Sequence, residues 1–309
     1  YGHELWRWTF PVNKLNQQTE QLSPLSSRPA YTETENELTV KANKRTFIFS
    51  KKDGQLKGIS VDNRKISFAN GPRFIGARRA DRSLDQFYNH DDEKAKEKDR
   101  TYSEFPDAAV FTKLDVKEDG GNLVVTANYK LGNLDKAQWT INPSGELALD
   151  YTYNFSGVVD LMGIRFDYPE DQVISKRWLG AGPYRVWQNR IHGTQYDVWE
   201  NDYNDPIPGE TFTYPEFKGY FGDVSWMNIQ TKEGTISLTN ETPDAYIGVY
   251  QPRDGRDRLL YTLPESGISV LNVIPPVRNK VNSTDLCGPS SQPKWVNGPQ
   301  TGRVIFRFM

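Results

Sequence analysis

Apolar and polar residues alternate along most of this chain, in short runs divided by turn residues. Leu38-Thr39-Val40-Lys41-Ala42 and Thr46-Phe47-Ile48-Phe49 are two such runs. A third, Leu56 to Val61, follows Lys51-Lys52-Asp53-Gly54. Asp53-Gly54 marks a hairpin turn, because glycine accepts positive φ without a Cβ clash. Asp119-Gly120-Gly121 divides Thr112–Lys117 from Leu123–Tyr129 in the same way. Pro143-Ser144-Gly145 divides Ala137–Ile141 from Leu147–Phe155, and Lys232-Glu233-Gly234 divides Trp226–Gln230 from Thr235–Thr239. Repeated strand–turn–strand units predict an all-β chain, a sandwich or a barrel. Helical stripes at i, i+3, i+4 rarely persist beyond two turns. The best helical candidate, Arg78–Arg100, is mostly charged, and its mixed-sign run 91–100 reads as a solvated loop or, alternatively, a binding site.

The first thirty residues stand apart. Trp6, Trp8 and Phe10 alternate as on one face of a strand, and Gln17–Pro29 is polar and carries Ser and Pro. Residues 1–30 are therefore expected to be a strap or linker, and 31–309 a single β domain. A softer boundary is expected near Phe155–Asp160, where the run of hairpins ends. The chain begins at Tyr1, which suits a processed product or a piece of something longer.

Composition narrows the functional classes. The 38 basic and 40 acidic residues nearly cancel, to a net charge of -2, so there is no basic field to hold nucleic acid. No apolar stretch is long enough to span a membrane as a helix. The lone Cys287 makes no internal disulfide and anchors no cysteine-based metal cluster. Asp202, Asn204 and Asp205 offer oxygen ligands but lack a full calcium loop, so neither metal nor cofactor is expected.

The aromatic residues crowd into 178–226, with Trp178, Trp187, Trp199 and Trp226 interleaved with Arg185, Asn189, Arg190, His192, Glu200, Asp202, Asn204 and Glu216. Sugars offer C–H faces that stack on rings and hydroxyl edges that need planar polar partners. This mixture suits a carbohydrate surface, and it equally suits a sandwich core in which rings fill space.

The order of the residues is more specific than their composition. Leu179-Gly180-Ala181-Gly182-Pro183-Tyr184-Arg185-Val186-Trp187-Gln188-Asn189-Arg190 precedes Tyr214-Pro215-Glu216-Phe217-Lys218-Gly219. Asn70-Gly71-Pro72-Arg73-Phe74 through Arg78-Arg79-Ala80-Asp81 lies upstream. Ile274-Pro275-Pro276, Leu286-Cys287-Gly288-Pro289 and Phe306-Arg307-Phe308 close the series. Over about residues 35–309 this resembles the C-terminal β domain of glycoside hydrolase family 2, the β-galactosidase-like enzymes. Where many members carry Glu after G-x-G-P, Tyr184-Arg185-Val186 stands here.

The resemblance implies a large antiparallel supersandwich of the galactose mutarotase-like kind. It also implies a non-catalytic role beside a separate catalytic (β/α) barrel, which supplies the two carboxylates of glycoside hydrolysis. The chain itself shows no alternating β/α pattern. The expected partners are thus a carbohydrate and the barrel, without nucleic acid or membrane, in a periplasmic or extracellular setting. Arg185, Trp187, Asn189, Arg190, Trp199 and Glu216 are the expected sugar contacts, and no catalytic residue is expected. A stand-alone sugar-binding protein, or a mutarotase-like isomerase or lyase using His192 and Glu216, is the alternative.

Overall fold

The computed structural model describes residues 7–9, 27–79, 102–202, 219–250, 264–276 and 288–309. The expected strap therefore lies outside the described residues apart from 7–9 and 27–30. So does the charged run 91–100.

The chain opens with a meander, β1 (Ala30–Glu33), β2 (Glu37–Ala42), β3 (Arg45–Ser50) and β4 (Leu56–Val61). Short β5 (Arg64–Ile66) leads into long β6 (Ala69–Arg79), which pairs with β7 (Tyr102–Glu104). A second meander is β8 (Val110–Asp119), β9 (Asn122–Lys130), β10 (Leu134–Ile141) and β11 (Leu147–Val159). After β12 (Leu161–Asp167) come β13 (Val173–Gly182), β14 (Gln195–Asp202), β15 (Trp226–Thr231) and β16 (Gly234–Asn240). β17 (Tyr246–Val249), β18 (Ile268–Val273) and β19 (Lys294–Phe308) complete the described strands.

These strands form two antiparallel sheets. One has ten strands, in the order β1-β2-β3-β4-β6-β12-β18-β17 with β5 beside β4 and β7 beside β6. The other has nine, in the order β14-β13-β15-β16-β19-β11-β10-β9-β8. The boundary expected near Phe155–Asp160 is instead the point where the chain leaves one sheet for the other: β11 ends at Val159 and β12 starts at Leu161. Hairpins end there because the next pairing partner, β6, is far away in sequence.

Local chemistry explains the hairpins. Gly120 and Gly121 both have positive φ, 59° and 89°, the conformation of a two-residue turn that matches strand twist. Period-two burial then sets each face. Along β10, Leu134, Ala137, Trp139 and Ile141 are buried while Asp135 is exposed.

The two inner faces meet in one aromatic core. The Phe166 ring on β12 stacks on Phe68 at 4.7 Å and meets Phe306 of β19 at 5.5 Å and Trp139 of β10 at 6.0 Å. A polar clasp ties the rim. Glu233, in the β15–β16 turn, accepts from the Ser67 backbone N–H at 2.8 Å, the Ser67 hydroxyl at 2.5 Å and the Tyr168 hydroxyl at 3.1 Å.

Two outcomes are expected. Phe166→Ala lowers unfolding free energy by about 3–5 kcal/mol in urea titrations, since the ring is fully buried between the sheets. Burial also pushes the Tyr151 hydroxyl up to about 12, with the neighbouring Thr242 side chain opposing the shift. The unfolded chain ionises this group near pH 10, so it binds fewer protons than the native state above that pH. Thermal stability therefore falls as pH rises from about 10 towards 12, and Tyr151→Phe makes that fall shallower.

Candidate functional site

The outer face of the ten-stranded sheet is also covered. Ile75 and Ala77 of β6, Leu161 of β12, Leu271 of β18, Tyr102 and Ile274 form a second apolar cluster with Val186, Trp187 and Tyr220. The covering residues come from the connections between the strands β13, β14 and β15. After β13 the chain leaves the nine-stranded sheet, and Val186 exchanges backbone hydrogen bonds with Tyr220 at 2.7 and 2.8 Å. Phe221 exchanges two more with Ile247 of β17, both 2.9 Å. The Ala181 N–H donates to Gly222 O at 2.9 Å. Residues 219–222 thus form a strip that laces one end of the sandwich shut.

The expected site residues fall at different depths of this covering layer. Trp187 is only 2% exposed and meets Tyr220 edge-on at 5.7 Å. Arg185 is buried, with its guanidinium 5.8 Å from the Phe221 ring centre. Buried Lys176 of β13 lies 5.9 Å from the same ring and donates to Asp202 O at 3.3 Å. Phe221 therefore offers its π system to two cations in a site largely withdrawn from water.

Trp187 to Arg190 closes a tight turn, with the Arg190 N–H donating to Trp187 O at 2.8 Å. Asn189 donates to Ser291 Oγ at 2.9 Å, and Gln188 donates to Gln292 O at 2.8 Å. These bonds pin the turn to the 288–292 segment. Arg190, which closes the turn opposite Trp187, is left exposed beside exposed Ile191 and His192. Trp199 of β14 is half-buried and packs over Gly182, where an added Cβ would lie 2.4 Å from the ring. Its Nε1–H donates to Gly180 O at 3.2 Å and Gln195 O at 3.1 Å, fixing the ring on the sheet edge. Glu216, Asn204 and Asp205 lie outside the described residues.

The same sheet face carries a polar row that sequence reasoning did not single out as a site. Arg73 of β6, Arg165 of β12, Ser269 of β18 and Gly248 of β17 are successive cross-strand partners. Arg73 pairs with Asp167 and donates through Nε to Asn70 O at 2.9 Å. Arg165 donates to Glu265 O and stands 3.8 Å from the Glu104 carboxylate. Two guanidiniums set among carboxylates present both donors and acceptors to a hydroxylated ligand. The available signal was an arginine where strand alternation calls for an apolar residue: Arg73 shares its face with Ile75 and Ala77. Among the described residues, no cluster of three His, Cys, Asp or Glu side chains would hold a metal ion.

Burial separates structural from presented residues, and the separation is measurable. Trp187→Ala is expected to cost about 3–5 kcal/mol of unfolding free energy, whereas Arg190→Ala stays within about 0.5 kcal/mol. Urea titration of both variants checks this.

Galactose 1-epimerase from Lactobacillus acidophilus superposes with a TM-score of 0.50 at 10% identity, covering 92% of this chain and 99% of that one. An aldose epimerase homologue from C. elegans aligns over 91% of this chain and 99% of its own, at 7% identity and a TM-score of 0.38. The epimerase match shows that the two sheets form a galactose mutarotase-like supersandwich. No curated protein matches the sequence. Residues 41–276, well over half of the sequence, match the family model described as beta galactosidase small chain. The chain therefore belongs to the beta galactosidase small chain family.

Proposed function

We infer that this chain is the non-catalytic sugar-recognising component of a family 2 glycoside hydrolase, working beside a catalytic barrel carried on a separate domain or chain. The observation that carries the reading is the family match across 41–276, a family whose description as a small chain presupposes a larger companion. Retaining hydrolysis needs two carboxyl groups about 5–5.5 Å apart around the scissile bond, and in this reading the barrel supplies them.

The covering layer gives this chain its share of the work. Buried Val186 and Trp187 hold the 183–194 segment on the outer sheet face, with Arg190 exposed and Asn189 half-buried, while Trp199 lies on the edge strand β14. In this role Arg190 donates to sugar hydroxyls and Trp199 offers part of a ring to a sugar face. Glu216 is kept as an acceptor in the same reading. An exported setting, periplasmic or extracellular, belongs with it, because environmental glycans are met outside the cytoplasm.

The test is hydrolysis of aryl galactosides and mutarotation of free galactose, measured with this chain alone and with the complete enzyme. The expected result is no turnover by the chain alone and hydrolysis by the complete enzyme. In the complete enzyme, Arg190→Ala is expected to raise KM about three- to tenfold, the loss of one charge-assisted hydrogen bond. Turnover by the chain alone that disappears in His192→Ala would overturn the reading.

A further inference from the structure

The β11–β19 ribbon carries a feature the covering layer does not explain. The two strands pair from Leu147↔Phe306 to Val159↔Lys294. At the Lys294 end, Val296 and Phe155 turn inwards and pack against the main core. Their alternating neighbours face outwards. Trp295 stands opposite Val158, Asn297 opposite Ser156, Pro299 opposite Asn154, and Thr301 opposite Thr152. Trp295 is 71% exposed, so its indole contributes almost nothing to the fold.

The β11 and β19 positions that share its face are uncharged. Trp295 to Thr301 spans about 20 Å at 3.3 Å per residue, and the eight paired positions on this face hold no Asp, Glu, Lys or Arg. In a chain that is 25% charged, the neutrality is informative. The face offers amides and hydroxyls instead. The Ser156 hydroxyl donates to Asn297 Oδ1 at 2.9 Å, which orients the Asn297 side chain beside the tryptophan. The Gly298 N–H donates to Ser156 Oγ at 3.3 Å and holds that hydroxyl in place. Asn133 of the neighbouring turn donates to Asn154 O at 2.8 Å.

We propose that this ribbon face is a second carbohydrate-binding site, in which Trp295 stacks on the C–H face of one pyranose and Asn297, Ser156 and Asn154 bond the hydroxyls of the next units along the strand. The ligand class is a neutral oligosaccharide. Lys136 of β10 lies beside Thr152 at the far end, and Arg303 is already paired with Asp150, so the amides and hydroxyls nearest Trp295 favour a neutral ligand over a phosphorylated or acidic one. A protein partner finds one exposed ring and a half-buried Val158 rather than a contiguous apolar patch. The proposal rests on the carbohydrate reading above but uses a different surface, so the site would hold a polymeric substrate away from the reacting bond.

The experiment is titration calorimetry of the whole chain with galactotetraose, xylotetraose and cellotetraose, comparing the native protein with Trp295→Ala, Trp295→Phe and Asn297→Ala. At least one tetrasaccharide is expected to bind. Trp295→Ala should weaken it about tenfold, as loss of an aromatic platform does, and Trp295→Phe less than about threefold. Asn297→Ala should weaken it about threefold, with thermal midpoints of all three variants unchanged. Unchanged affinity in Trp295→Ala overturns this inference and leaves the carbohydrate reading standing. Binding of none of the three sugars overturns the inference and counts against that reading as well. Loss of association with the catalytic partner in Trp295→Ala, with sugar affinity intact, would make the face a protein interface and overturn it too.

Discussion

Everything in this molecule hangs on the contact between two sheets through a small set of rings. Phe166 lies on β12, a central strand of the ten-stranded sheet, and reaches Phe306 and Trp139 on two strands of the other. Large rings suit this place because two twisted sheets pack about 10 Å apart, and only bulky side chains bridge the gap without voids. Once these rings interdigitate, the register of β10, β12 and β19 is set, because slipping any strand by one residue would turn its rings to the opposite face.

That constraint also creates the candidate face. β12 is buried along both sides, since Phe166, Ile164 and Met162 serve the main core while Leu161 serves the outer cluster. Gly163 stands where an added Cβ would lie 2.2 Å from Val270 O, so its neighbour β18 is drawn in close. The outer face is apolar at one end, where Trp187 and Tyr220 lie on it, and ionic at the other, where Arg73 and Arg165 stand among carboxylates. Both ends belong to one rigid surface, so a ligand meeting either end encounters groups already held in position.

How much of this was legible depends on how local each cause is. The hairpins could be read because turn chemistry sits between the strands it joins, as at Gly120-Gly121. The pairing of β11 with β19 could not, because about 150 residues lie between the partners and nothing within either strand names the other. The same limit made the β11–β12 crossing look like a domain boundary. At the candidate site, residue type drew attention to one segment but not to the depth of its side chains. Arg185 and Arg190 are alike on paper; one is buried near Phe221 and the other is exposed where it closes a turn, because only the fold decides which side of the strip meets the sheet. Trp295 went unremarked for the opposite reason, since a lone ring in a polar run looks ordinary until its partners on β11 are known.

The position of β19 has a consequence for how such a chain comes to be folded. It is the last strand in chain order, yet it lies in the interior of the nine-stranded sheet, between β16 and β11. Until it arrives, β11 and β16 each present an unsatisfied edge, and the rings of Phe306 and Phe308 are missing from the core. On a ribosome, the earlier hairpins can form one by one as they emerge, but the sandwich cannot close until residue 308 is free. From the completion of β16 at Asn240 until Phe308 emerges, the nascent chain thus carries two open strand edges of the kind that invite pairing with other chains. Chaperone cover of those edges during that interval would protect its yield.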